Sequence, residues 1–189
     1  MRSHSLVELE TPRLTLRQWC AADRAPFAAL NADAEVMRYF PATLDRAGSD
    51  LLAERCEQLI AERGWGFWVA EHREDGAFIG FVGLHEVAAD LPLPPGIEIG
   101  WRLARPYWGQ GLATEAARAC LRFGFEQLQR SEIVAFTAVS NRRSRAVMQR
   151  LGMQCAHAYF DHPHVPAETG LQRHCLYRLS QVDWRRDKA

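Results

Sequence analysis

The sequence predicts a single α/β domain on a mixed, mostly antiparallel sheet of about seven strands flanked by helices. Three observations carry that expectation. Strand-like alternation and amphipathic helical stripes follow one another from Leu14 to Leu179, and nothing marks a domain boundary. A strand ending at Leu103 runs through a glycine-containing turn into a long helix of small residues, as expected of a helix lying tight on a sheet. Finally, 189 residues, 48% hydrophobic and 24% charged, suffice for one core without disulfide staples. The domain is expected to occupy residues 1–189, with its core over 9–180.

The elements follow in order. Leu14 to Arg17 reads as a first strand after the Pro12 breaker. Asp23 is placed to cap a helix through Leu30, with Pro26 in its first turn. Ser49 precedes the stripe Leu52, Cys56, Leu59, Ile60, and Gly64 stops that second helix. Trp65 to Glu71 and Ala77 to Leu84 form a hairpin across the turn Arg73 to Gly76. One face of Trp65, Phe67 and Trp68 belongs to the core, and the other could wall a pocket. The proline-rich stretch Asp90 to Gly96 is a loop, and Ile97 to Leu103 is a strand. Gln110 to Leu128 is helical, with Ala113, Ala117, Cys120, Leu121, Gly124 and Leu128 on one face. Ile133 to Val139 is apolar enough for a central strand, and Asn141 to Leu151 is a helix closed by Gly152. Met153 to Phe160 and Leu171 to Leu179 are the last two strands.

Composition excludes several classes. Twenty-three basic residues cancel twenty-three acidic ones, which does not suit a nucleic-acid coat protein, so no nucleic-acid partner is expected. The longest apolar run, Phe78 to Leu84, is far below the roughly 20 residues that span a bilayer. The opening residues show no apolar signal core. Five scattered cysteines without a Cys-x-x-Cys suit a reducing compartment, so a cytoplasmic protein with core cysteines is expected. Cys155, His157, His162 and His164 match no closed zinc spacing, so no metal is expected.

The chemistry lies in Ile97 to Glu115. The first amides of a helix lack internal partners and carry partial positive charge. Gly109 and Gly111 would let a ligand approach them, which makes an anion cradle, most plausibly for phosphate or pyrophosphate. The P-loop pattern fails for want of Lys followed by Ser or Thr, and the dinucleotide pattern fails at Thr114. An ordinary strand-to-helix turn is the competing reading of spacing alone.

Trp108-Gly-Gln-Gly-Leu-Ala113 resembles the acetyl-CoA-binding motif of the GNAT N-acetyltransferases, (Arg/Gln)-x-x-Gly-x-(Gly/Ala), with Trp108 departing at its first position. Tyr107 to Ala116, the opening Leu9 to Arg17, and Asn141-x-x-Ser144 leading to Leu151-Gly-Met153 are similar to the Rim-type branch, which includes ribosomal-protein N-terminal acetyltransferases. The resemblance runs from Leu9 to Leu179, in order. It implies acetyl-CoA as cosubstrate, with pyrophosphate on the amides of Trp108, Gly109, Gln110, Gly111, Leu112 and Ala113. It further implies that Ile97 to Leu103 splays from its neighbour, so that the backbone of Trp101, Arg102 and Leu103 meets the pantetheine arm, together with Asn141. A plain helix N-cap is the alternative for Asn141. Many relatives dimerise, so a homodimer is one form it implies.

Acetyl transfer to an amine needs no covalent intermediate, because holding both reactants together removes the bimolecular cost. Glu98 is the candidate base on the cofactor-lining strand, with His85 as its rival, and a solvated strand residue as the bland alternative. Where many relatives carry a Tyr acid seven residues after the Asn, this chain has Met148, which leaves Ser144 as the candidate near the leaving thiolate. Tyr39 and Phe40, in Met37 to Pro41, lie where the family builds its acceptor site. Arg142, Arg143 and Arg145 either reach a CoA phosphate or form a solvated face. Neutralising an α-amine at pH 7 costs about 1 kcal/mol and a lysine about 4.6 kcal/mol, which slightly favours a protein N-terminus or small-molecule amine. A CoA-binding module without catalysis is the competing function, supported by the missing Tyr.

Overall fold

The computed structural model describes residues 6–186. Eight strands form one sheet in the order β1-β2-β3-β4-β5-β6-β8-β7. They are β1 (Leu9–Glu10), β2 (Leu14–Arg17), β3 (Phe67–His72), β4 (Phe78–Glu86), β5 (Ile97–Leu103), β6 (Glu132–Ala138), β7 (Gln154–Asp161) and β8 (Arg173–Ser180). The helices are α1 (Arg24–Ala32), α2 (Arg46–Arg63), α3 (Leu112–Glu126), α4 (Arg142–Arg150) and α5 (Gln181–Arg186). Every pairing is antiparallel except β5 with β6, which α3 connects as a crossover.

The differences from expectation are local. The sheet has an eighth strand because Leu9–Glu10 pairs with Leu16 and Thr15. Asp23 does not cap α1 with its side chain; Arg17 draws the carboxylate away through two 2.9 Å bonds. Helix α2 begins before Ser49, because Asp45 caps it by accepting from the Gly48 amide at 2.8 Å. Gly64 closes α2 in the left-handed region at φ 82°, as the sequence predicts. Cys56, Cys120 and Cys175 are buried, but Cys20 is exposed and Cys155 half-buried, so the cysteines are not uniformly core.

The long helix α3 lies close on the sheet for the reason its composition suggested. A Cβ added at Gly124 would stand 2.6 Å from Ile133 Cδ1 and 3.1 Å from Leu84 Cδ1. Ala116, Ala117, Cys120 and Leu121 are buried beside it, and Trp68 meets Phe123 edge-on at 5.6 Å. The other face of β3 and β4 carries Phe67 and Phe81, which pack with Phe27 of α1 and with Trp19. Each ring of this size that leaves water contributes on the order of 1.5–3 kcal/mol.

Candidate active site

The site is made where parallel strands diverge. Strands β5 and β6 pair only at Ile97 with Ile133 and Glu98 with Val134, although each has seven residues. Beyond Glu98 they separate. Ala104 N donates to Ile79 O at 2.8 Å and Val87 N to Gly96 O at 2.9 Å, at the two ends of the β4–β5 ladder. The two-residue repeat therefore makes Phe81 with Arg102, Gly83 with Gly100 and His85 with Glu98 the hydrogen-bonded pairs. The intervening Ile99, Trp101 and Leu103 turn their backbone groups toward the gap.

Of the three residues expected to meet the pantetheine arm, Trp101 and Leu103 turn their backbone to the gap and Arg102 does not. The Arg102 backbone pairs with Phe81, and its side chain leaves on the opposite face. Ile99 takes its place, a residue that strict alternation along the strand could have identified. The Leu103 carbonyl accepts from Trp108 Nε1 at 2.7 Å, which holds the Trp108 ring at the mouth of the gap.

Residues Trp108 to Ala113, the expected cradle, form the turn into α3, where the Trp108 amide is engaged and donates to Arg105 O at 3.1 Å. Gly109 and Gly111 have φ of 75° and 77°, where a side chain is strained, and nothing lies within 4 Å of a Cβ built on Gly109. Gly111 is the N-cap of α3 and offers no side-chain cap. Hydrogen bonding within α3 begins at Glu115 N, so the amides of Leu112, Ala113 and Thr114 precede the helical ladder. Gln110 bends back, its Nε2 donating to Pro106 O at 2.9 Å. Arg143, at the start of α4, lies over the Trp108 ring at 4.5 Å and spans the mouth. Two helix starts thus face the C-terminal ends of diverging parallel strands, a place suited to an anionic ligand.

A support missed by the sequence reading stands behind the cradle. Arg13 donates from its amide and Nε to the two oxygens of Glu115 at 2.8 and 2.7 Å, and from NH1 to Gln110 O at 3.0 Å. Thr11 Oγ1 donates to the same carboxylate at 2.7 Å. Burial pushes the Glu115 carboxyl up, but Thr11 and Arg13 outweigh it and hold it below the usual carboxylate range.

Asn141 is the N-cap of α4. Its Oδ1 accepts from Ser144 N at 3.2 Å, and its Nδ2 donates to Thr137 Oγ1 and Ser144 Oγ at 3.0 and 3.1 Å. Both amide hydrogens are engaged, which leaves one lone pair on Oδ1. Ser144 Oγ accepts that bond and keeps its own hydrogen to donate. Met148 is buried. Arg145 is tied to Val139 O at 3.1 Å and Tyr177 Oη at 3.4 Å, whereas Arg142 and Arg143 are exposed.

On the face of β5 opposite Ile97 and Ile99, Glu98 stands beside His85 across the strand pair, with Oε1 3.5 Å from Nδ1. The His85 ring stacks on Phe67 with an interplanar angle of 2°. Phe67 in turn covers Gly100, where a Cβ would meet its ring at 3.1 Å. Glu98 is half-buried, and a shallow concavity lined by Leu93, Ile97, Val134 and Leu176 opens next to its partner strand. Tyr39 is half-buried and Phe40 exposed on the α1–α2 connection, and Phe40 reaches this same face through Arg102, whose guanidinium lies 4.1 Å from its ring centre. Tyr39 has Arg38 over its ring at 5.8 Å.

Residues 13–154 match the family model described as an acetyltransferase (GNAT) domain. The chain belongs to the GNAT acetyltransferase family. YkkB of Bacillus subtilis is 34% identical over 151 residues, which are 77% of this chain and 84% of YkkB. YdaF of the same organism, provisionally named a ribosomal N-acetyltransferase, is 33% identical over 78 residues, 41% of each chain. The crystal structure of an acetyltransferase from Agrobacterium tumefaciens superposes with a TM-score of 0.73 at 27% identity, covering 93% of this chain and 95% of that one. This GNAT domain therefore keeps the eight-stranded sheet of an acetyltransferase, with a Rim-like motif pattern. Among the described residues no group of three or more His, Cys, Asp or Glu side chains could hold a metal ion, and no helix is long and apolar enough to cross a membrane.

Proposed function

We propose that this GNAT protein moves the acetyl group of acetyl-CoA directly to a primary amine, a protein N-terminus or a small-molecule amine, within a ternary complex. The observation that carries the reading is the divergence of β5 from β6 beside an uncapped helix start. The backbone edge of Ile99 and Trp101, together with the Leu103 amide, suits the amides of a pantetheine arm, as an added strand would. The amides from Gly109 to Ala113 suit its pyrophosphate, and Asn141 keeps one lone pair for the arm.

Glu98 takes the proton of the incoming ammonium, directly or through water, with His85 beside it to relay or orient. The amine lone pair attacks the thioester carbonyl carbon, the C–N bond forms, the nitrogen gives its second proton to solvent, and the C–S bond breaks. The thiolate leaves with the donated hydrogen bond of Ser144 and takes a proton from solvent. A thiol pKa of about 8.5 makes this departure easy without a strong acid, which suits a chain with buried Met148 in place of a Tyr. Tyr39 and Phe40 border the acceptor side.

Calorimetric titration with acetyl-CoA and with CoA tests the first half. Micromolar binding is expected, and its absence at high concentration would overturn the cradle. A thiol-release screen over an amine panel tests the second half. Tight CoA binding with no amine acetylated would instead favour a binding module.

A further inference from the structure

We infer that the acceptor carries an anionic group, a carboxylate or a phosphate, and that Arg102 receives it on the sheet face where Glu98 meets the amine. The inference rests on the acetyl-transfer reading and narrows its substrate class.

Glu98, Gly100 and Arg102 alternate with Ile99, Trp101 and Leu103, so the three share one face of β5. Arg102 is half-buried there. Its NH1 donates to Asn31 Oδ1 at 2.6 Å, while its Nε is sealed from solvent and has no partner. Among the described residues it forms no ion pair. Arg13, Arg17 and Arg24 each face a carboxylate, at 2.6, 2.9 and 2.7 Å. Arg102 breaks that pattern on the face that carries Glu98.

The surroundings keep the charge and leave it unanswered. Burial pulls the guanidinium down to about 10, so it remains a cation at neutral pH. Asn31 satisfies one donor without neutralising it. The group lies 4.1 Å from the ring centre of Phe40 and 5.3 Å from that of Phe81. Aromatic contact uses the faces of a guanidinium and leaves its edge for planar, two-oxygen recognition. Phe40 is 36% exposed, so a surface ring on a connection is what covers this cation. A sheltered cation with an unfilled donor costs stability that a bound anion would return.

Spacing sets the size of the acceptor. Four residue steps along the strand lead from Glu98 to Arg102, about 13 Å between their Cα atoms. An extended tripeptide spans roughly 10 Å, so amine and anion are expected to be about three residues apart.

The test compares diglycine, triglycine and tetraglycine with their C-terminal amides, and runs aminoalkyl phosphates of graded length beside them. The wild-type protein is expected to prefer an anionic acceptor over its neutral counterpart by about tenfold to a hundredfold in kcat/KM, most strongly near the tripeptide length. The two series distinguish carboxylate from phosphate. In Arg102→Gln the ratio is expected to fall toward one, and Arg102→Lys to recover part of it. Turnover of charged and neutral acceptors alike, or a preference that survives in Arg102→Gln, overturns the inference and leaves acetyl transfer standing. Calorimetric binding of triglycine and its amide to the CoA-loaded protein gives a readout that needs no turnover. A carboxylate preference there without any acetylation supports the anion site and overturns acetyl transfer. The wild-type comparison stands even if the variants fold poorly.

Discussion

Arg13 grips Glu115 with its backbone amide and its guanidinium together, across 102 residues of sequence. The same guanidinium holds the Gln110 carbonyl, so the residue just before β2 fastens both the turn and the first turn of α3. Two motifs at opposite ends of the chain's first two-thirds are thereby one mechanical unit.

Glu115→Gln is expected to lower stability by about 1–2 kcal/mol, since a charge-assisted network loses its anion. Acetyl-CoA affinity should fall with it. Thermal melts and calorimetric titration check both, and unchanged affinity would show that the cradle holds its shape without this pair.

Glu98→Gln should lower kcat/KM for the amine by about a hundredfold, the usual scale for a positioned base. Acetyl-CoA binding should hardly change, because Glu98 projects from the face opposite the helix α3 side. His85→Asn should cost less. A wild-type rate in Glu98→Gln would remove it from the proton path and move the assignment to His85 or to water.

Gly111 sits at φ 77°, and a Cβ there would meet only Arg13 NH2 at 3.7 Å, an ordinary contact, so strain rather than collision decides a substitution. Gly111→Ala should cost about 1–2 kcal/mol, a fall in Tm of roughly 2–8 °C for a chain of this size. The amides it orients should bind acetyl-CoA less tightly. A Tm within one degree of wild type would contradict the left-handed assignment.

The imidazoles of His162 and His174 are 4.9 Å apart and pack with Phe136 and Phe160. Burial lowers both below the ordinary histidine value, with nearby His174 and His164 adding to the effect on His162. The unfolded chain therefore binds protons first as pH falls. Stability from this cluster should be complete above about pH 6.5 and should decline as pH drops through the lowered folded values. Denaturant melts from pH 7.5 to pH 5 should show this, and His174→Phe should flatten the slope. An unchanged slope in that variant would mean the loss arises elsewhere.

Much of the fold was legible because its elements are periodic. β4, β5, α3 and β6 each carry several turns or alternations, and their positions follow the pattern. Leu9–Glu10 is too short to show a period, and only its pairing with β2 makes it a strand. Asp23 has the residue type of a cap, yet Arg17 outcompetes the helix amides for it. The candidate cradle shows as a motif because Trp108 to Ala113 is contiguous. Its brace from Arg13, and the bond from Arg102 to Asn31 across 71 residues, leave no local pattern to read. The alternation on β5 could have separated Arg102 from Trp101 and Leu103, since neighbours on a strand cannot offer backbone groups to the same edge.

The sheet is stitched across its middle by two residue pairs. On one side lie five strands and on the other three, joined beyond that seam through α3 and the packing beneath it. A ligand lodged in the gap acts as a missing rung between the two half-sheets. Its arrival should slow solvent exchange at the amides of Ile99, Trp101 and Leu103 and tie the two half-sheets together beyond the two-pair seam. On the acetyl-transfer reading, the cosubstrate is also a structural member of the fold.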